Sequence, residues 1–344
     1  MIINVINFCI KVFNLFLLLS VSCLATIVYI ASFVGVIPAI LKHKYTRALA
    51  YNKKGLDCYQ FQNYQDAIDS YDKALEVYPK LYHAHYNRAN TFYELNDYQK
   101  VIEDYTQAIA IKPNYAEAYN NRANTYYTLK NYQKALEDYS HAIGVNPDYC
   151  KAYYNRANAH YTLRNYAEAI EDYSQAIALN SNYAEAYNNR GNIYYCLKQY
   201  QKAIEDYNQA IDLNPNYADA YSNRGNTYYD SSNYKKAIED YSQAITLNPD
   251  RHEAYNNRGN AYYNLKQYQN AVENCDQAIT LNPNYIEAYY NRGLAQNKLN
   301  NPEDAVTDFQ KALELVKQQG DTVLYQEIQE TLQKLPLSRQ ISSP

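Results

Sequence analysis

The sequence has no tryptophan and a single methionine in 344 residues, with only eight glycines and ten prolines. So little glycine leaves no Gly-rich phosphate loop, and neither a G-x-S-x-G nor an H-E-x-x-H motif occurs. The six cysteines (Cys9, Cys23, Cys58, Cys150, Cys196 and Cys275) form no C-x-x-C pair and no Cys/His cluster, which removes zinc-site and thioredoxin-like readings. Scattered as they are, they suit small core positions. No Asn-x-Ser/Thr sequon occurs among the many asparagines, which fits a reducing, unglycosylated compartment. There is no basic excess: 32 Lys and Arg stand against 36 Asp and Glu, a net charge of −4, so nothing draws the chain globally to nucleic acid. The six histidines share no recurring geometry with an acid or nucleophile, and His83 and His85, two apart, fall on different sides of a helix. These absences argue against an enzyme and leave no candidate cofactor, metal or catalytic residue.

Charge is also missing locally. From Val12 to Leu41 there is no Asp, Glu, Lys, Arg or His, a run longer than the ~20 residues that span a bilayer. A cleaved signal peptide would have a shorter apolar region, ~7–15 residues, behind a basic start. The expectation is therefore one transmembrane helix, about Val12–Val36, ended by Gly35 and Pro38, within an anchor and basic juxtamembrane segment over 1–47. Lys42, Lys44, Arg47, Lys53 and Lys54 follow it and only Lys11 precedes it, so the positive-inside rule keeps the rest of the chain in the cytoplasm as a single-pass membrane protein.

What the chain has in abundance is tyrosine, 44 residues of it, and a repeat. Eight units of 34 residues run from Ala48 to Gln319 without an insertion or deletion. A strict period of this size means an all-α solenoid in which each unit buries its apolar face against its neighbours. In the third unit, Ala116–Tyr149, small and apolar residues fall at Ala118, Tyr119, Ala123, Tyr126 and Leu129, then at Tyr132, Ala135, Leu136, Tyr139, Ala142 and Ile143. Both sets have helical spacing, so the unit is a pair of helices joined near Lys130–Asn131. Asn131 can cap the second helix and Pro147 follows its end. Asn114/Glu117, Asn182/Glu185 and Asp250/Glu253 have the spacing of capping boxes at the start of the following units. Small residues recur at Gly55, Ala89, Ala123, Ala157, Gly191, Gly225, Gly259 and Gly293, and alanine recurs without exception from Ala74 to Ala312, marking close helix contacts.

The unit resembles a tetratricopeptide repeat. Tyr187, Gly191, Tyr194, Ala203, Tyr207, Ala210 and Pro215 match that family's aromatic, small and proline positions, and all eight units follow suit. Ser181, Cys275 and Val101 are local departures from the pattern. The resemblance implies a right-handed superhelical solenoid of helix-turn-helix units, the first helix of each lining a concave groove. Where the family usually has leucine before the small residue, this chain has Arg88, Arg122, Arg156, Arg190, Arg224, Arg258 and Arg292. Sixteen residues later stand Asp104, Asp138, Asp172, Asp206, Asp240, Asn274 and Asp308. An Arg–Asp pair is expected inside most repeats, stacked as a ladder.

A second ordered face remains on the first helices. Its columns are Asn87, Asn121, Asn155, Asn189, Asn223, Asn257 and Asn291; then Asn90, Asn124, Asn158, Asn192, Asn226 and Asn260; then Tyr93, Tyr127, Tyr161, Tyr195, Tyr229 and Tyr263. Steps of three residues put the columns on one side of the helix. Asparagine can pair with an extended peptide backbone without reading its sequence, and tyrosine adds apolar area with a hydroxyl. The arrangement is similar to the asparagine ladder of O-linked N-acetylglucosamine transferases. The other reading is that the asparagines tie neighbouring repeats together and the tyrosines fill helix contacts. The two-carboxylate clamp of co-chaperones in this family needs lysine and arginine where this chain has Asn120, Tyr154, Asn155 and Asn188, so acidic chaperone tails are not expected partners.

The eighth unit interrupts the columns with Leu294, Gln296 and Asn297, and the first with Lys53 and Leu56, leaving units two to seven as the usable groove. Val323, Leu324, Ile328, Leu332 and Leu335 have the spacing of a capping helix within 320–335, and 336–344 is expected to be a disordered tail. The functional expectation is a non-enzymatic scaffold that binds extended protein segments at a cytoplasmic membrane face, with a self-assembling spacer or a regulatory subunit of a partner enzyme as alternatives. If the Arg–Asp ladder is structural, Asp138→Ala, which strands a half-buried arginine, lowers the melting temperature more than Arg122→Leu, which restores the family's usual residue. Equal and negligible shifts in a thermal melt would remove the ladder from the account.

Overall fold

The computed structural model describes residues 22–335, with side chains from residue 40 onward. Among these the chain is an all-α helical repeat solenoid of seventeen helices with no strand. It divides into two compact units, Met1–Pro147 and Asp148–Pro344, which hold repeats one to three and four to eight respectively.

Each repeat is a helix pair in the phase expected from its apolar spacing. In the third, the first helix spans Ala116–Thr128 and the second Tyr132–Val145. The turn between them forms without glycine. Lys130 sits at φ 59°, and a positive φ recurs at the same place in every repeat, from Gln62 to Asn300. Left-handed backbone costs an ordinary residue about 1–2 kcal/mol. Two hydrogen bonds offset it here: Asn131 N–H to the Tyr126 carbonyl at 2.8 Å and Lys130 N–H to the Tyr127 carbonyl at 2.9 Å. That pair of bonds is a Schellman closure, satisfying carbonyls the helix end would otherwise orphan.

The expected capping boxes do not form. The first helices begin one residue later than those boxes require, with Tyr115, Tyr183 and Arg251 at the N-cap and no side-chain cap bond. Asn114, Asn182 and Asp250 therefore lie one position too far upstream, and Glu117, Glu185 and Glu253 remain exposed. Asparagines closer to the preceding helix serve the turn instead: the Asn180, Asn214 and Asn282 side chains each accept the backbone N–H two residues on, at 3.1–3.2 Å. The second helix of repeat three is capped by Asn131, whose side chain accepts from Lys134 N–H at 3.4 Å. Proline is not essential at the helix end, because Asn180, followed by Ser181, has φ −141° and ψ 93°, against −135° and 93° at Asn146 before Pro147.

The N-terminal helix also differs from expectation. It runs unbroken from Ser22 to Gln60, through Gly35 and Pro38 and into the first repeat. A lone proline removes one ladder bond and bends a helix more readily than it ends one. Residues 12–21 of the expected transmembrane span lie outside the described residues, as does the expected tail, 336–344. Among the described residues no helix is long and apolar enough to cross a membrane.

Packing is built from alanine and one large ring per repeat. The invariant alanines from Ala74 to Ala312 are fully buried, and beside them lie Tyr105, Tyr139, Tyr173, Tyr207 and Tyr241, at most 2% exposed. The helices approach so closely that a Cβ built on Gly191 would lie 2.8 Å from the Tyr207 ring. At the C-terminal end the apolar core is larger, with Phe309, Val316 and Ile328 fully buried. It is covered by a helix over Thr322–Gln333, capped by the Asp321 side chain at 3.1 and 3.0 Å from the Val323 and Leu324 N–H groups. Val323, given an apolar role by its spacing, is 75% exposed because it falls in the first turn, beside the cap.

The Arg–Asp ladder is present. Arg122 Nε and an Arg122 terminal nitrogen bond the two oxygens of Asp138 at 2.7 and 2.8 Å, and Arg88, Arg156, Arg190, Arg224 and Arg292 hold their aspartates with the same fork. The third nitrogen extends the ladder backwards: Arg190 reaches Ser174 at 2.9 Å and Arg224 reaches Asn208 at 2.6 Å, each on the second helix of the preceding repeat. Burial alone would raise the Asp104 carboxyl, but hydrogen bonds from Arg88 and His85 hold it below its ordinary value. Arg258 is the exception. Its partner Asn274 accepts a single bond at 2.7 Å, and burial pulls the guanidinium below the ordinary arginine pKa. Asn274→Asp restores the fork, so we expect it to stabilise the chain by about 1–2 kcal/mol, read as a higher urea midpoint. An unchanged or lower midpoint would show that the fork adds nothing at this site.

Candidate interaction face

Within each unit the first helices of neighbouring repeats touch directly, so their side chains form one continuous face. The first asparagine column on that face is consumed by the fold. Asn87 donates to Asn52 Oδ1 at 3.0 Å, Asn223 to Asn188 Oδ1 at 3.1 Å and Asn291 to Asn256 Oδ1 at 2.9 Å, each in the preceding repeat. Where that partner position holds tyrosine, Asn121 donates to the Tyr86 hydroxyl at 2.9 Å and Asn189 to the Tyr154 hydroxyl at 3.1 Å. Asn257 reaches back to Asn226 Oδ1 at 3.2 Å, and Asn155 is also partnered. For this column the tie between repeats describes the geometry.

The second column behaves differently. In repeats two to six the buried tyrosine sends its hydroxyl through to this face and donates to the column's side-chain oxygen. Tyr139 donates to Asn124 at 2.7 Å, Tyr173 to Asn158 at 2.5 Å, Tyr207 to Asn192 at 2.9 Å and Tyr241 to Asn226 at 2.8 Å, and Tyr105 makes the same bond to Asn90. Burial raises the pKa of Tyr105, Tyr139, Tyr207 and Tyr241, so these phenols remain protonated donors. The oxygens being occupied, what this column offers is a row of amide N–H donors held in place from behind. Asn260 stands apart, because Cys275 replaces the tyrosine that would supply the hydroxyl.

The tyrosine column is half-buried, and each ring packs against the first residue of its own repeat's second helix. Centroid distances run from 5.3 Å for Tyr127–Tyr132 to 6.1 Å for Tyr161–Tyr166, with Tyr93, Tyr195, Tyr229 and Tyr263 in between. Their hydroxyls look to the next repeat: Tyr195 donates to Asp230 at 2.7 Å and Tyr229 accepts from Asn264 at 2.9 Å. Tyr59 of the first repeat donates to Glu94 at 3.2 Å, and burial together with that carboxylate pushes its pKa up to about 12.

Two features of the face were missed by the sequence columns. One is the position just before the first asparagine column, where Asn52, Asn120, Asn188 and Asn256 are buried at 3–7% exposure and anchor the ties. These asparagines recur every 68 residues, in alternate repeats, with Tyr86, Tyr154 and Ser222 at the same position in between, and that alternation was legible in the sequence. The other is a pair of shallow recesses. One, of about 200 Å³, lies among Tyr59, Asn90, Tyr93 and Glu94 in the first unit. The other, of about 90 Å³, lies among Tyr195, Asn226, Tyr229 and Asp230 in the second. They are built from the same repeat positions, and each has one acid on its rim.

Comparison with known proteins agrees with this architecture. Tetratricopeptide repeat models match residues 48–81, 116–149, 150–183, 173–205, 252–285 and 286–317. A related TPR repeat model matches 89–130, 191–232 and 225–266. No curated protein matches the sequence. Among solved structures, a tetratricopeptide repeat protein from Parabacteroides merdae is 20% identical with a TM-score of 0.55, over 74% of this chain and 99% of its own. The pilF protein of Pseudomonas aeruginosa is 20% identical with a TM-score of 0.54, over 63% and 97%. The Cut9–Hcn1 hetero-tetramer of APC/C is 18% identical with a TM-score of 0.55, over 78% and 52%. At these identities the likeness is one of fold.

The two roles within the second column separate by mutation. Asn158→Ala strands the buried Tyr173 hydroxyl and should cost about 1–3 kcal/mol, whereas Asn260→Ala, with Cys275 behind it, should cost little. Apparent melting temperatures measured side by side test this, and similar losses for both would show that the hydroxyl bond is not what holds the column.

Proposed function

The chain belongs to the tetratricopeptide repeat family, and on that premise we propose that it is a protein-interaction scaffold without catalysis of its own. The fold is generally non-enzymatic and serves protein and peptide binding. In this reading the first-helix face holds extended segments of partner proteins. The observation that carries it is the second asparagine column: from Asn90 to Asn226 its oxygens accept from buried tyrosines, and among the described residues no acceptor for its N–H donors is seen. A row of fixed, unsatisfied donors suits the carbonyls of an extended backbone, and the adjacent tyrosine column supplies apolar area at low entropic cost. The first column contributes indirectly, by setting the spacing of the repeats. Acidic C-terminal tails are poor ligands for this face, because Asn120, Tyr154 and Asn188 stand where a carboxylate clamp needs cations.

The scaffold is tethered, in the same proposal, to a membrane with its repeats on the cytoplasmic side. The support is the charge-free run Val12–Leu41 and the cations at Lys42, Lys44, Arg47, Lys53 and Lys54 that follow it.

A capture experiment from solubilised membranes tests the face. The native chain is compared with a variant carrying Asn124→Ala with Tyr139→Phe and Asn192→Ala with Tyr207→Phe. Removing donor and acceptor together avoids stranding a buried hydroxyl, so helical content and melting should change little. Loss of the captured partners with the fold intact is expected. Retention of every partner would move the function to the outer surface or the anchor, the territory of a spacer or self-assembling scaffold.

A further inference from the structure

The two recesses differ from the rest of the face in one respect. At the rim position repeats three, four, five and seven carry Thr128, Thr162, Cys196 and Asn264, all uncharged, and the end repeats carry Gln60 and Lys298, whereas repeats two and six carry the acids Glu94 and Asp230. Each carboxylate accepts a tyrosine hydroxyl through one oxygen, and neither forms an ion pair within the described residues. Each recess sets that acid beside two tyrosine rings, Tyr59 and Tyr93 in one and Tyr195 and Tyr229 in the other. Carboxylate and aromatic faces together are the surroundings a desolvated cation prefers. At about 200 and 90 Å³ the recesses fall short of the ~300–1,000 Å³ of small-molecule sites, but they admit the head of one side chain.

The charge around them has the same sign. Along the helical line that includes the second column (steps of four, seven and eleven residues), the second unit carries Glu185, Asp230, Glu253 and Glu287 against Lys151 and Lys298. The first unit carries Glu94 and Glu117 against Lys53. Asp219, on the same line, is already paired with Arg251.

We infer that the extended segment held by this face is basic, and that each recess takes the head group of one lysine or arginine, with Glu94 or Asp230 as its counter-ion and the tyrosine rings as its walls. This rests on the groove reading of the preceding section and names the partner's chemistry. It also changes one expectation: a face lined only by asparagine and tyrosine binds independently of salt, whereas this one weakens as salt rises.

The test uses the full chain and three fluorescein-labelled peptides of equal length, repeats of Gly-Arg-Ser, Gly-Gln-Ser and Gly-Glu-Ser, read by fluorescence anisotropy at two salt concentrations. The arginine peptide should bind tightest and weaken with salt. Glu94→Gln with Asp230→Asn, which keeps an acceptor for each tyrosine hydroxyl, should weaken it by roughly tenfold and leave the glutamine peptide unchanged. Glu117→Gln with Glu185→Gln, neutralising exposed acids away from the recesses, should change it far less. Equal binding of arginine and glutamine peptides, both lost in the paired Asn/Tyr variant, would overturn the recess assignment while the groove reading stands. No binding of any peptide would overturn both. Self-association of the chain abolished by Glu94→Gln with Asp230→Asn would give the recesses to a second copy and overturn the assignment to a partner segment.

Discussion

A buried tyrosine on the second helix of repeats two to six, with its hydroxyl bonded through to an asparagine on the first, is the contact on which the rest of the molecule depends. The ring fills the space between the two helices where Gly191 or Ala123 lets them close. A phenylalanine would fill it equally well, and Phe309 does so in the eighth repeat. What phenylalanine cannot do is reach the opposite face. The hydroxyl turns a packing residue into a strut: Tyr139, Tyr173, Tyr207 and Tyr241 each hold one asparagine oxygen on the outer side of the first helix. Core and candidate binding face are thus coupled inside every repeat from the second to the sixth. Two repeats lack the strut: Tyr71 has Leu56 in place of the asparagine, and Asn260 has Cys275 in place of the tyrosine.

Two further networks run between repeats and divide the work. On the side of the second helices, Arg88, Arg122, Arg190, Arg224 and Arg292 each grip their own aspartate with two bonds and reach the preceding repeat with a third. A buried pair of this kind adds modest net stability against an apolar substitute, but it is expensive to break singly, so it enforces a register. On the side of the first helices, the first asparagine column bonds backward to Asn52, Tyr86, Tyr154, Asn188 and Asn256. Both networks are polar and directional, which suits a core made largely of alanine. Alanine brings helices close but buries little area each, and shape alone would leave the stacking loosely specified.

Neighbouring columns with the same residue type therefore have different functions. Asn121 and Asn124 are three residues apart and equally half-buried. Asn121 spends its amide hydrogen on Tyr86, and Asn124 spends its oxygen on Tyr139. The first is a tie and the second is a positioned donor. The rim acids Glu94 and Asp230 place charge directly beside that donor row in repeats two and six, which gives an otherwise sequence-blind surface a preference in sign.

The sequence by itself determined the repeat length, the helix pair, the phase of the repeat helices and the Arg–Asp ladder, because each follows from periodicity and pair spacing that recur at 34-residue steps. Local terminations were less legible. The turn at Lys130 carries no glycine, its left-handed backbone being held by two hydrogen bonds rather than by residue type. The capping boxes were legible and wrong, because a one-residue shift in the helix start moves Asn114 out of reach. Only the tertiary structure decided which atom of Asn121 and which of Asn124 the fold engages, since that depends on whether the partner is a hydroxyl fifteen residues on or a side chain one repeat back. It likewise gathered Tyr59, Tyr93 and Glu94 from two repeats into one recess. A column read along the sequence lists side chains one helix at a time, and a recess exists only where neighbouring helices close around it.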